Sequence, residues 1–278
     1  MDTTMDLPEE GSMPRLGFGT GGLKDDTARE AVRAALDAGY RRFDTAEGYG
    51  NEEAVGDALA DAEREDVFIT SKALPKHLDY ESLIEACERS LERLGVEYLD
   101  CYQLHWPNPA ISVRETMAAM TKLKREGKIR HVGVSNVEPY TLSCIQHVSE
   151  VPVAVNQIEY HPWRQQRDVV AYCESEGVAV DAAAPLARTE VFGEEAIADI
   201  AAAHGKTEAQ VVLRWALERG VAVAPGSASP EHIRANADVF GWELREEERE
   251  RIDALERGES VYNLSPLDWE NDAFGIAR

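Results

Sequence analysis

Along the chain, short runs of apolar and β-branched residues alternate with longer stretches whose apolar positions recur every three or four residues. The short runs fall at 15–20 ("RLGFGT"), 41–46 ("RRFDTA"), 67–72 ("VFITSK") and 99–105 ("LDCYQLH"). They continue at 129–135 ("IRHVGVS"), 153–160 ("VAVNQIEY"), 178–184 ("VAVDAAA") and 221–226 ("VAVAPG"). Short apolar, β-branched runs of this kind predict largely buried strands, as in a parallel sheet. The stretches between them, such as "TAREAVRAALDAG" (27–39) and "YESLIEACERSLERLG" (80–95), have a helical period. They end in Gly39 and Gly95, which suit helix C-termini. Eight strands alternating with helices predict a single α/β domain over 1–278, a (β/α)8 barrel of the TIM type. An extra acidic helix is predicted at 245–256, followed from about 257 to 278 by a loop-like tail.

One segment argues for a different fold. "GFGTGG" (17–22) satisfies G-x-G-x-x-G, and Asp44 ends the next strand, as in a Rossmann dinucleotide site. That motif requires the helix to begin within the glycine turn. Here the helical pattern begins only at Asp25, and six further strands follow, so the barrel is preferred.

Charge narrows the class of partner. With 29 basic and 52 acidic residues the net charge is −23, which excludes nucleic acid and anionic membranes as expected partners. No apolar run approaches the ~18 residues of a membrane span, and the acidic "MDTTMDLPEEGSM" start does not resemble a signal peptide. A cytoplasmic protein is expected. Cys87, Cys101, Cys144 and Cys173 form no C-x-x-C pair and are expected to be reduced thiols. The seven histidines show no ligand spacing, so no metal is expected. Only seven of the basic residues are lysine. An acid-rich, lysine-poor chain suits a halophilic setting, where molar salt shortens the Debye length to ~3 Å and screens carboxylate repulsion.

In a barrel the chemistry sits at the C-terminal ends of the strands. Asp44 ends the second predicted strand, Tyr49 lies in the loop beyond it, Lys72 ends the third and His105 ends the fourth. Neighbouring strands run ~4.8 Å apart, so these side chains can converge. A phenol with pKa ~10 is a reluctant acid–base at neutral pH, and a nearby ammonium favours its anion.

The same residues sit in "GYRRFDTAEGYGNEEAVGDAL" (39–59), "VFITSK" (67–72), "DCYQLHWP" (100–107), "GKIRHVGVSN" (127–136) and "NQIEYHP" (156–162). With "TEAQVVLRWALERGVAVAPGSASPEHIRANADVF" (207–240), they make nearly the whole chain resemble the aldo-keto reductases. The resemblance implies reversible NADPH-dependent reduction of aldehydes and ketones to alcohols by a cytoplasmic monomer. Tyr49 would donate the proton, Asp44 and Lys72 would tune it, and His105 would orient the substrate oxygen. Thr20, Ser135, Asn136, Gln157, Ala183, Pro185, Leu186, Gly226, Ser227, His232 and Asn236 would contact the cofactor. Ser135, Asn136 and Gln157 would hold its carboxamide. Gly21 and Trp106 would border the substrate pocket, and the tail with Tyr262, Asn263 and Trp269 would either close over it or simply cover the barrel end.

Three positions depart from the family pattern. Gly21 stands where a pocket tryptophan is common. Gly226 and His232 replace the lysine and arginine that usually hold the cofactor 2′-phosphate, which makes NADH use plausible. Ala183 stands where an aromatic ring usually stacks on the nicotinamide. These weakened contacts keep a second reading open, a catalytically weak nicotinamide-binding sensor or partner module. A barrel hydrolase using Glu47 and Glu159 would need two facing carboxylates and would leave Lys72 and Tyr49 without a role.

Overall fold

The computed structural model describes residues 1–9 and 11–262. The chain opens with an antiparallel hairpin, β1 (Thr4–Asp6) and β2 (Ser12–Pro14). The barrel begins with β3 (Phe18–Gly19), α1 (Asp25–Asp37), β4 (Arg42–Asp44), α2 (Glu52–Leu59), β5 (Phe68–Ala73) and α3 (Tyr80–Leu94). It continues through β6 (Leu99–Leu104), α4 (Val113–Arg125), β7 (Ile129–Ser135), α5 (Pro139–Val148), β8 (Val153–Glu159) and α6 (Arg167–Ser175). The last elements are β9 (Ala179–Ala183), α7 (Glu195–His204), α8 (Glu208–Glu218), β10 (Ala222–Val223), α9 (Pro230–Ala237) and α10 (Glu246–Asp253).

β3 to β10 pair in parallel in sequence order, each with the next. The ring closes where Leu16 bridges Val223. Across this seam Gly17 N–H donates to the Val223 carbonyl at 2.8 Å, and Gly19 N–H to the Pro225 carbonyl at 3.1 Å. Two glycines permit the approach. A Cβ on Gly19 would lie 2.5 Å from the Ala224 carbonyl oxygen, and one on Gly226 would lie 2.5 Å from the Gly19 carbonyl oxygen. All eight predicted strands are present, α1 and α3 begin at Asp25 and Tyr80 where the pattern placed them, and the acidic helix predicted at 245–256 is the shorter α10.

The helices cover the ring with small and aliphatic stripes. α1 buries Ala28, Ala31, Val32 and Ala35, and α3 buries Leu83, Ala86, Cys87, Leu91 and Leu94, positions three and four apart. Two elements were not anticipated. The β1–β2 hairpin closes the N-terminal end of the barrel, burying Leu7 and Met13 against Phe68, Cys101, Val155 and Ala222. α7 is an extra helix between the seventh and eighth barrel strands. Among the described residues, no helix is long and apolar enough to cross a membrane.

Candidate active site

The C-terminal ends of β4 and β5 stand side by side, with Asp44 in register with Thr70 and Lys72 two residues further on. Lys72 is fully buried. Its Nζ donates to Asp44 Oδ1 at 2.6 Å and to the Thr45 carbonyl at 2.9 Å. Tyr49 ends a short 3-10 turn, Glu47–Tyr49, that folds back over this pair, and Lys72 Nζ lies 5.2 Å from its ring centroid. His105, just past β6, meets the Tyr49 ring edge to face at 5.5 Å between centroids. The four predicted side chains therefore converge.

Their protonation follows from their surroundings. Burial favours neutral Lys72, but Asp44, Tyr49 and Asp181 together outweigh it and hold the pKa above the ordinary value, so the ammonium persists. Burial holds the Tyr49 hydroxyl above its usual range. Lys72 works against this shift, and Asp44 reinforces it. The ammonium favours the anion as expected, but burial is the larger effect and Tyr49 stays protonated at neutral pH. Burial, assisted by Lys72, pushes the His105 pKa down to about 3, leaving a neutral imidazole.

A cavity of about 560 Å³ opens from Tyr49 and Asp44 along Gly19, Gly21, Gln157, Ala183, Pro185 and Leu186 to Gly226 and Ser227. A second, of about 520 Å³, shares Leu186, Thr189, Gly226 and Ser227 as walls and reaches His232 and Asn236. Together they form a long groove with titratable groups at one end and the N-terminus of α9 beside the other. Gly21 leaves the Tyr49 ring open, since a Cβ there would sit 3.5 Å from it. Trp106 lines a third cavity of about 320 Å³ with Asn136 and Glu159, and Tyr262 is a wall of both this cavity and the first.

The expected carboxamide contacts are tied into a network. Ser135 Oγ donates to the Gln157 carbonyl at 2.9 Å, and Asn136 Nδ2 donates to the His105 carbonyl at 3.0 Å and to Ser135 Oγ at 2.9 Å. Gln157 Nε2 donates to Asp44 Oδ2 at 3.0 Å and to Asp181 Oδ2 at 2.6 Å. The amide nitrogens are thus committed, which leaves their oxygens as the groups able to accept from a ligand. Thr20 does not line the groove. It is fully buried and its hydroxyl donates to the Asp44 carbonyl at 3.0 Å, supporting the strand end.

Glu47 and Glu159 do not face each other as a hydrolytic pair. Glu47 accepts from Leu74 N–H, while Glu159 anchors the tail by accepting from Val261 N–H at 2.7 Å and Ser260 Oγ at 2.6 Å. Tyr262, next along, lies against the Arg188 guanidinium. Asn263 and Trp269 lie outside the described residues. Two residues escaped the sequence reading. Lys206 lines the far cavity and pairs with Asp238 at 2.5 Å, and Arg42 lies inside the barrel, ion-paired to Asp181. Among the described residues, no group of three or more His, Cys, Asp or Glu side chains could hold a metal.

Comparison with known proteins identifies the family. The profile described as "Aldo/keto reductase family" matches residues 15–257. The chain is 40% identical over 261 residues to glyoxal reductase of Bacillus subtilis, covering 93% of this chain and 94% of that protein. It is 38% identical to an aldo-keto reductase of Mycobacterium sp. strain KMS, covering 91% and 92%. Among solved structures, MGS-M4, an aldo-keto reductase from a Medee basin deep-sea metagenome library, superposes with a TM-score of 0.90 at 36% identity. It covers 93% of this chain and 97% of that one. The Bombyx mori aldo-keto reductase solved with NADP gives 0.88 at 30% identity, covering 96% of each.

Proposed function

The chain belongs to the aldo/keto reductase family and is a carbonyl-reducing oxidoreductase, and from that premise we propose that it draws hydride from NADPH and proton from Tyr49. The observation that carries this reading is the buried Lys72–Asp44 ion pair beneath Tyr49 and His105, at one end of the groove formed by two adjoining cavities. The groove fits such a cofactor. Its glycine and alanine walls leave flat space, the Gln157 and Asn136 oxygens remain free to accept, and a helix N-terminus that favours phosphate borders the far end. When bound, the nicotinamide supplies the hydride that adds to the carbonyl carbon.

The protein's part is the other half of the reaction. Tyr49 donates its hydroxyl proton to the carbonyl oxygen as the C=O π bond breaks, and becomes a phenolate. The Lys72 ammonium stabilises that anion, and Asp44 holds Lys72 in place. His105, being neutral, carries one N–H able to hydrogen-bond the same oxygen and orient it. With cofactor and substrate in the groove, the Tyr49–Lys72 pair would be shielded from water, and out of water fixed charges act most strongly. Tyr49→Phe is expected to lower kcat by about 10²–10⁴-fold while cofactor still binds, as read by fluorescence titration. Turnover at more than a few per cent of the parent overturns the assignment.

Discrimination between NADPH and NADH is proposed to be weak. Gly226 offers no charge to a 2′-phosphate, His232 stands where the family pattern has arginine, and Lys206 is shared with Asp238. Each charged hydrogen bond lost removes roughly 1.5–3 kcal/mol of preference. The kcat/KM ratio of the two cofactors is expected below about 10³, and a larger ratio in favour of NADPH refutes this. A small aldehyde or ketone substrate, cytoplasmic residence, a monomeric state and a halophilic setting complete the proposal.

A further inference from the structure

The barrel interior holds a second ion pair beneath the first. Arg42 precedes Asp44 by two residues on β4, so both side chains point inward. Across the ring on β9, Asp181 stands beside Gln157 in register. The Arg42 guanidinium meets Asp181 Oδ1 at 2.9 Å, and both side chains are at most 2% exposed. The same guanidinium donates to the Val223 carbonyl at 2.8 Å and touches Met13 Sδ at 3.4 Å. Gly17 makes room for it, because a Cβ there would lie 2.5 Å from Arg42 Nε. The Asp181 carboxylate takes one Gln157 Nε2 hydrogen and Asp44 takes the other. A continuous polar chain thus runs Arg42, Asp181, Gln157, Asp44, Lys72.

We propose that Arg42 and Asp181 are positioning residues for carbonyl reduction, acting through Gln157 to fix the Asp44 carboxylate toward Lys72 and the Gln157 oxygen toward the groove. The proposal rests on the assignment of Tyr49 and Lys72 above. Without Asp181 the Gln157 amide has one carboxylate instead of two to hold its nitrogen, and it can flip. The pair also adds charge to the site. The groups facing Tyr49 are Lys72 on β5, Asp44 on β4, Asp181 on β9, His105 after β6 and Tyr262 of the tail. The Cys101 thiol on β6 senses the same charges and stays protonated, its pKa raised by burial to about 12.

The test follows pH–rate profiles in both directions for Asp181→Asn, Arg42→Gln and the double variant, on protein shown folded by circular dichroism, beside Tyr49→Phe. Alcohol oxidation needs Tyr49 unprotonated, so its rising limb marks that ionisation. The midpoint is expected to fall by at least about 0.5 pH unit in Asp181→Asn and to rise in Arg42→Gln. In the double variant it falls less than in Asp181→Asn, because Asp181 is the nearer charge. Cofactor Kd weakens in Asp181→Asn and in the double. A merely structural role does not shift the two single variants in opposite senses. If an unpaired buried charge prevents a single variant from folding, the double variant, which leaves none, decides by the same midpoint. Midpoints coinciding with the parent, with Tyr49→Phe inactive, overturn the role of the pair and leave Tyr49 standing. Full turnover by Tyr49→Phe overturns the assignment beneath both.

Discussion

At the scale of single residues, environment decides which form of each side chain is present. His105 is neutral because burial and Lys72 both oppose its cation, and its pKa falls from 6.5 to about 3. Tyr49 and Lys72 are both held above their ordinary values and so keep their protons. The kcat/KM of reduction is therefore expected to be flat between about pH 5 and pH 9. An inflection near 6.5 that disappears in His105→Phe would show a titrating imidazole instead. The depression has a second effect of definite sign. As pH falls from 6.5 towards 3, only the unfolded chain takes up this proton, so His105 then makes folding less favourable. Ala183, without a ring of its own, is a half-buried wall of the groove that also contains Tyr262, so an aromatic from the tail borders the space left by the missing ring.

At the scale of elements, the ends of β3 and β10 show a constraint that a family pattern hides. Gly226 reads in sequence as a lost lysine, but its Cβ position is filled by the Gly19 carbonyl oxygen. Gly226→Lys is accordingly expected to cost about 1–3 kcal/mol through strain at the seam, without a matching gain in NADPH preference. Thermal unfolding and the cofactor ratio check this together, and an unchanged Tm would mean that the strands have room to part. The strands were legible because parallel, doubly buried segments leave unbroken apolar runs. Asp44, Tyr49, Lys72 and His105 were legible because strand ends locate them. The hairpin was not, since "TMD" and "SMP" carry no strand signal beyond their pairing with each other. Nor was the Arg42–Asp181 contact, separated by 139 residues and visible only once the ring closes. Lys206 was missed because its cavity exists only where α8 and α9 approach the last strand.

At the scale of the whole molecule, a net charge of −23 sits on a surface where many carboxylates are paired with arginine, as in Arg125 with Glu150 and Arg251 with Asp199. Pairing handles neighbours, but the excess of carboxylates still repels itself, and salt screens that repulsion over ~10 Å at 0.1 M and ~3 Å at 1 M. Tm is expected to rise between dilute buffer and about 2 M KCl, and identical transitions in both would remove the case for a halophilic setting. The seam of the ring bears on turnover as well. Gly19 borders the groove from the first barrel strand and Ala224 to Ser227 border it from the last, so an occupant of the groove bridges the two edges. A ligand that binds only the closed ring stabilises it by mass action. Amide exchange at Gly17, Gly19 and Val223 therefore slows when the groove is filled, and the residence time of the occupant is tied to how often the ring breathes at that one joint.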